Sequence, residues 1–138
     1  MATITIKGRE IPLCYTVYEM KEVQEEIGPL SEVISLVLGR NPADEDDTSA
    51  FGSAKHLEAA AKLIRILGNA GLEEAGEKPD LTDKSVMRAL KPMALFPTIN
   101  ACLDTMNESM ESEIPKEEKT GPVDVVLEEI EKKKETDG

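Results

Sequence analysis

The chain has 138 residues, a formal net charge of −12, only 3% aromatic residues and no tryptophan. This length allows one domain with a modest core. The acidity argues against binding to nucleic acid or to an anionic membrane, because both reward clusters of Lys and Arg. Cys14 and Cys102 lie far apart in the sequence, and no signal peptide is recognisable. We therefore expect reduced thiols in a cytoplasmic protein.

Two short alternating runs open the chain, at residues 3–7 and 10–15, with Gly8 between them. Every second residue of the latter run is a large apolar one. This pattern predicts an N-terminal β-hairpin. Pro12 has no N–H to donate to a ladder, so we expect it at an edge or at an irregularity.

The first helix has the clearest signals for its start and its end. Thr16 followed by Glu19 predicts a capping box, and Gly28 followed by Pro29 predicts the end of the helix. A second, short helix is predicted over residues 31–38.

Residues 54–71 predict the central helix of the core. Its polar residues form one narrow stripe of Lys55, Glu58, Lys62, Arg65 and Asn69. Its apolar residues form two adjacent ridges, one of which comprises Leu57, Ala60, Ala61, Ile64 and Leu67. Such a helix must be covered on two sides. Gly68 and Gly71 offer left-handed positions at which it can end.

Two more helices are predicted after a Gly- and Glu-rich connection. Thr82 caps a short one that closes before Pro92. We expect the last core helix to run from Pro97 to about Glu111, since Pro97 inside a longer helix would cost about 3 kcal/mol. Its predicted buried stripe consists of Ile99, Leu103, Met106 and Met110, with Cys102 beside it. The fold class predicted is therefore mainly α, with about five helices and the hairpin.

The acidic loop at residues 40–53 suggests calcium, but the pattern does not fit. An EF-hand loop beginning at Asp44 needs Gly at its sixth position and Glu at its twelfth, where this chain has Ser49 and Lys55. We therefore interpret this segment as a solvated loop and predict no metal site.

The sequence lacks a recognisable catalytic constellation. Its single histidine, His56, lies near the start of the central helix, where a packed or capping role is the usual one. No nucleophile motif surrounds either cysteine. We predict a protein that is not an enzyme and needs no cofactor.

The composition changes after residue 112, so we divide the chain into a helical domain, residues 1–112, and a charged tail, residues 113–138. Within the tail, Val123, Val126, Leu127 and Ile130 follow the spacing i, i+3, i+4, i+7 of a short amphipathic helix. This helix is too short to be stable alone. It either docks on the domain or binds a partner, and we take these four residues as candidate partner-binding residues.

Three segments, ITIKGREIPLCYTVYEMKEVQEEIG, LIRILGNAGLEEAGEKPDLT and LFPTINACLDTMNESM, follow one another in the chain. Their order resembles that of the tail assembly chaperones of long-tailed bacteriophages and prophages. The resemblance covers residues 4–110. It rests on framework positions and does not include the acidic loop or the tail.

The resemblance implies a non-catalytic protein of the bacterial host cytoplasm that is absent from the finished virion. Such chaperones bind the tape measure protein and help to recruit tail tube subunits, and self-association is compatible with this role. Three alternatives stay open. They are a structural adaptor that remains in the phage particle, an acidic mimic of DNA and an enzyme.

Overall fold

The computed structural model describes residues 2–112. Within this range the chain forms a β-hairpin followed by five α-helices, which confirms the predicted fold class. The elements are β1 Thr3–Ile6, β2 Arg9–Pro12, α1 Val17–Glu26, α2 Leu30–Leu38, α3 Ala54–Glu74, α4 Asp83–Ala89 and α5 Pro92–Ser112. The predicted tail lies beyond the described residues, so the division at residue 112 stays a prediction.

The hairpin forms because its two-residue turn suits the twist of the strands. Lys7 and Gly8 both have positive φ, 53° and 77°, as a type I′ turn requires. Ile4 pairs with Ile11 across the ladder, and both side chains are buried. Pro12 pairs with Thr3 at the open end of the ladder, in agreement with the expectation that it lies at an edge.

The capping box of α1 is confirmed. The Thr16 hydroxyl accepts a bond from the N–H of Tyr18, and the Thr16 N–H donates to Glu19 Oε1 at 2.9 Å. Glu19 is buried even though it carries a carboxylate. The helix is therefore fixed at its N-terminus by a local hydrogen-bond network.

Helix α3 is longer than expected, and the prediction that it ends at Gly68 or Gly71 is wrong. It continues to Glu74, and the left-handed residue beyond it is Gly76, with a φ of 79°. Gly71 has another role, because a Cβ there would lie 1.7 Å from the carbonyl oxygen of Pro12. This glycine lets the backbone after β2 lie directly against the helix.

We call this contact between the hairpin and α3 the hairpin seam, made of Ile11, Pro12 and Leu13 against Gly68 and Gly71. Both Ile11 and Leu13 are almost fully buried. Cys14 follows the seam, and its N–H donates to the carbonyl of Leu67 at 3.2 Å. The hairpin is thus joined to α3 by a main-chain hydrogen bond as well as by packing.

Helix α5 begins earlier than predicted, at Pro92, and it contains Pro97. In a regular helix the N–H of residue 97 would donate to the carbonyl of Met93. Met93 and Pro97 are both exposed, so this part of the helix lies against solvent. The expected penalty of an interior proline is reduced because this first part of α5 lies at the surface.

The predicted buried stripe of α5 is only partly correct. Ile99 and Cys102 are buried, while Leu103 and Met106 are partly buried against the core. Met110 is exposed, contrary to the prediction. Leu57, which we assigned to a buried ridge of α3, is also exposed. In residues 2–112 there is no helix with the length and apolar character needed to cross a membrane.

Candidate binding groove

An open apolar groove lies where the N-terminal half of α3 meets α2, α4 and the start of α5. Its volume is about 410 Å³. Buried apolar side chains from all four helices form its floor, and they include Val37, Ala61, Ile64, Val86 and Ile99. The floor is continuous with the hydrophobic core, so the groove is a place where the core reaches the surface.

Large apolar side chains stand at the rim of this groove. The chain has only two phenylalanines, Phe51 and Phe96, and both line the groove while remaining 62% and 53% exposed. Leu57 and Met87 also line it and are exposed. Phenylalanine is among the residues most often buried in proteins, so two exposed ones in one groove form an unusual surface.

His56 supports one wall of the groove. Its Nδ1 accepts a hydrogen bond from the N–H of Gly52 at 2.9 Å, which leaves the ring proton on Nε2. Nε2 then donates to the carbonyl of Val37 at 3.0 Å. Its ring also lies 5.1 Å from that of Phe51, measured between centroids. Both nitrogens are used by the main chain, so His56 is a packed residue, as expected, and it fixes the loop to α2.

The position of Phe51 depends on a glycine at the end of α2. Gly39 caps that helix in a left-handed conformation, with a φ of 78°. A Cβ on Gly39 would lie 2.8 Å from the Cα of Phe51. The loop can therefore approach α2 closely enough to present Phe51 at the rim.

The acidic loop before Phe51 is held by its own side chains. Asp47 accepts bonds from the N–H of Ser49 at 3.0 Å and from the side chain of Asn41 at 3.2 Å. These bonds, the one from the Ser49 backbone first, lower the pKa of Asp47 below its ordinary value. Asp44 likewise accepts from the N–H of Asp46. The carboxylates thus act as turn formers.

Neither cysteine lines the groove. Burial raises the pKa of Cys102 to about 12, and burial followed by the nearby Glu19 and Glu74 raises the pKa of Cys14. A raised pKa disfavours the thiolate, which is the nucleophilic form. No group of three or more His, Cys, Asp or Glu side chains that could hold a metal ion occurs among residues 2–112.

The four residues predicted to bind a partner, Val123, Val126, Leu127 and Ile130, lie outside the described residues, and their role stays a prediction. The groove itself was missed by the sequence analysis. Its walls come from four separate segments, and periodicity within one segment does not reveal which faces meet. The available signal was that both phenylalanines stand outside the regular apolar stripes, one of them in a polar loop.

Comparison with known proteins adds no relative, since no family model, curated protein or solved structure matches the chain.

Proposed function

We propose that this protein is a tail assembly chaperone of a long-tailed bacteriophage or prophage, which binds the tape measure protein and helps to recruit tail tube subunits. The proposal starts from the sequence resemblance. The observation that carries it further is the apolar groove with both phenylalanines exposed at its rim. The groove supplies the kind of surface that holding an aggregation-prone client requires.

The shape and chemistry of the groove suit a helical client. Amphipathic helices commonly bind by placing their apolar face in a hydrophobic groove between the helices of a partner. Aromatic residues and methionine are enriched in such interfaces, and Phe51, Phe96 and Met87 supply them here. A volume of about 410 Å³ is enough for a few apolar side chains from one helix.

The charge of the chain supports the same role. A client-binding protein with an open apolar surface risks associating with itself, and a net charge of −12 opposes this by mutual repulsion. We place the protein in the cytoplasm of the bacterial host during tail assembly and outside the finished virion. Its action is reversible binding without catalysis.

The direct test is co-expression with the tape measure protein encoded next downstream. We expect the full chain to keep the tape measure protein soluble and to co-purify with it. In the variant Phe51→Ser/Phe96→Ser, the soluble fraction should fall several-fold because two apolar anchors are lost. The matched control is Val17→Ser/Tyr18→Ser, which removes two exposed apolar side chains of α1 that do not line the groove.

Circular dichroism and thermal unfolding should show that both variants remain folded, since exposed substitutions usually change stability by only about 0.5 kcal/mol. If the soluble fraction of the tape measure protein falls equally with the groove variant and with the control, the groove is not the binding surface. If the full chain gives no rescue and is found in purified virions, the protein is a structural adaptor and the chaperone proposal fails.

The tail supplies a second prediction about the client. We expect truncation after Gly121 to weaken tape measure binding without unfolding the domain, because it removes Val123, Val126, Leu127 and Ile130. Unchanged co-purification of the truncated chain would show that these four residues are not needed.

A further inference from the structure

The wall of the groove formed by α4 and α5 differs in charge from the rest of this acidic protein. From Lys84 to Leu103 the chain contains three basic residues and no acidic one. The basic residues are Lys84, Arg88 and Lys91, and all three are exposed. A chain with a net charge of −12 therefore has a local basic segment along one side of its apolar groove.

One of these cations lines the groove, and the other two lie on α4, whose Met87 also lines it. Lys91 lines the groove itself, as does Met87 of α4. Lys84 precedes Met87 by three residues, and residues at this spacing are neighbours on a helix surface. Arg88 lies four residues after Lys84 and is therefore its neighbour on the surface of α4. A side chain that contacts Met87 from outside would come within reach of these charges.

The cations are not neutralised by neighbours in the part of the chain that the structure describes. None of Lys84, Arg88 and Lys91 forms an ion pair within residues 2–112. Asp83, the acidic residue that precedes the segment, instead accepts a bond from Nε of Arg65 at 2.6 Å. Arg65 also pairs with Glu26. The nearest carboxylate in the sequence is thus engaged on α3.

We propose that the groove recognises an amphipathic helix whose apolar stripe is flanked by Asp or Glu on the side that faces α4. This inference rests on the proposed function and specifies the chemistry of the client segment. The apolar stripe would occupy the groove between Phe51 and Phe96, and the acidic flank would lie along Lys84, Arg88 and Lys91. Charge complementarity then selects and orients the client, while the apolar contacts supply most of the affinity.

The net charge of the protein alone would favour the opposite preference, for a helix flanked by basic residues. A field of −12 charges favours a basic client when screening is weak. At about 0.15 M salt the Debye length is about 8 Å, so only charges next to the bound helix contribute strongly. Under that condition we expect the local basic segment to determine the preference.

The experiment uses the full chain and two synthetic helical peptides with the same apolar stripe, one flanked by Glu and one by Lys. Fluorescence anisotropy at about 0.15 M salt should give a Kd about five- to tenfold lower for the Glu-flanked peptide, as expected for a few exposed ion pairs. At about 1 M salt the Debye length falls to about 3 Å, and the preference should disappear while both peptides still bind.

Charge reversal provides the matched comparison. The variant Lys84→Glu/Arg88→Glu/Lys91→Glu should prefer the Lys-flanked peptide. The control Lys7→Glu/Lys21→Glu/Lys78→Glu has the same net charge, its changes do not line the groove, and it should keep the preference of the original chain. The two variants therefore separate the local charge from the total charge.

Several results would overturn the inference. Equal Kd values for the two peptides, with binding lost in Phe51→Ser/Phe96→Ser, would reject the charge recognition and leave the groove and the proposed function intact. Binding of neither peptide would reject this class of ligand, whereas the proposed function would fail only in the tape measure co-expression. A dimer in analytical ultracentrifugation that the triple reversal at residues 84, 88 and 91 dissociates would assign the groove to a second copy of the chain.

Discussion

Helix α3 is closely packed toward its C-terminus and incompletely covered toward its N-terminus. Toward its C-terminus, at the hairpin seam, Gly71 approaches the backbone of Pro12 so closely that no side chain fits between them. Toward its N-terminus, Leu57 and His56 line an open groove with exposed aromatic residues. One helix therefore combines a tightly closed contact with an unfilled apolar one.

The difference follows from what each end packs against. At the seam the partner is a hairpin, whose main chain can come close to a helix that has glycine at the contact. At the groove α3 packs against α2 and α4, and the rim is completed by a turn-rich loop and the first turns of α5, which begins at Pro92. These segments bring large side chains to the rim but do not interdigitate over the floor. The groove therefore leaves apolar surface of the core open to solvent.

The largest predicted effect is a loss of stability caused by a substitution at the hairpin seam. In Gly71→Ala the new Cβ would meet the Pro12 carbonyl, which is backbone and cannot move without shifting the hairpin. We expect a loss of about 3 kcal/mol or more in the free energy of unfolding, the upper range for overpacking. Urea unfolding followed by circular dichroism measures it.

The control for this variant is Gly68→Ala in the same helix. There the new Cβ would lie 2.7 Å from the end of the Leu81 side chain, which can rotate away, and 3.6 Å from Ile11 Cγ2, which is an ordinary contact. The better helix propensity of alanine, about 1 kcal/mol, offsets part of the cost. A loss in Gly71→Ala no greater than that in Gly68→Ala would show that the Pro12 backbone does not pack as closely against Gly71 as described.

The open end is tested by His56→Ala. The substitution leaves the buried carbonyl of Val37 without its donor and the N–H of Gly52 without its acceptor. We expect a loss of about 2 kcal/mol in the free energy of unfolding, within the range for a buried polar group left unpaired. Lys55→Ala, at an exposed neighbouring position, should change it by less than about 0.5 kcal/mol.

Chemical denaturation of both variants tests whether His56 holds the loop. If His56→Ala unfolds at the same denaturant concentration as Lys55→Ala, the loop is not held by His56, and the groove wall is less fixed than the hydrogen bonds indicate.

Features that depend on residues close together in the chain can be predicted from the sequence. The hairpin, the Thr16–Glu19 capping box and the cap at Thr82 each depend on residues within a few positions. Local hydrogen bonds and turn preferences are enough to specify them.

Features that depend on contacts between distant segments were predicted wrongly or not at all. The local sequence around Gly71 predicts a helix end. In the structure Gly71 instead packs against Pro12, which lies almost sixty residues earlier in the chain. Pro97 likewise predicts a helix start. It lies inside α5 instead, where the exposed first turn of the helix accommodates it. The groove needs four segments at once. Periodicity places Leu57 on a buried ridge, although it lines the open groove and is 39% exposed.

Cys102 lies one turn after Ile99 on the same face of α5, and it tests how closely that helix packs on the core. Its pKa is raised from 9.0 to about 12 in the folded chain, so the unfolded chain loses the thiol proton first. Its contribution to stability is complete below pH 9 and decreases as the pH rises through the interval to about 12. At pH 10 the loss should be about 1.4 kcal/mol.

The measurement compares the original chain with Cys102→Ala at pH 8 and at pH 10 by urea unfolding. Only the change between the two pH values is compared, because alanine itself alters packing at both. Other titrating groups, including Cys14 and Tyr15, are common to both proteins and cancel. An identical change in the two proteins would mean that Cys102 is accessible to solvent, and that α5 is loosely packed against the core.

The smallest predicted effect concerns the loop that presents Phe51. Hydrogen bonds from Ser49 and Asn41 lower the folded-state pKa of Asp47 below 3.8, so its contribution to stability is present above that pH and is lost as the pH falls through the folded pKa. NMR titration of the Asp47 carboxyl carbon should give a midpoint below 3.8. Asn41→Ala should move the midpoint upward only in part, since the Ser49 backbone is the largest cause. A midpoint at or above 3.8 would show that the turn is not formed as described. The position of Phe51 would then depend on the hydrogen bonds of His56 alone.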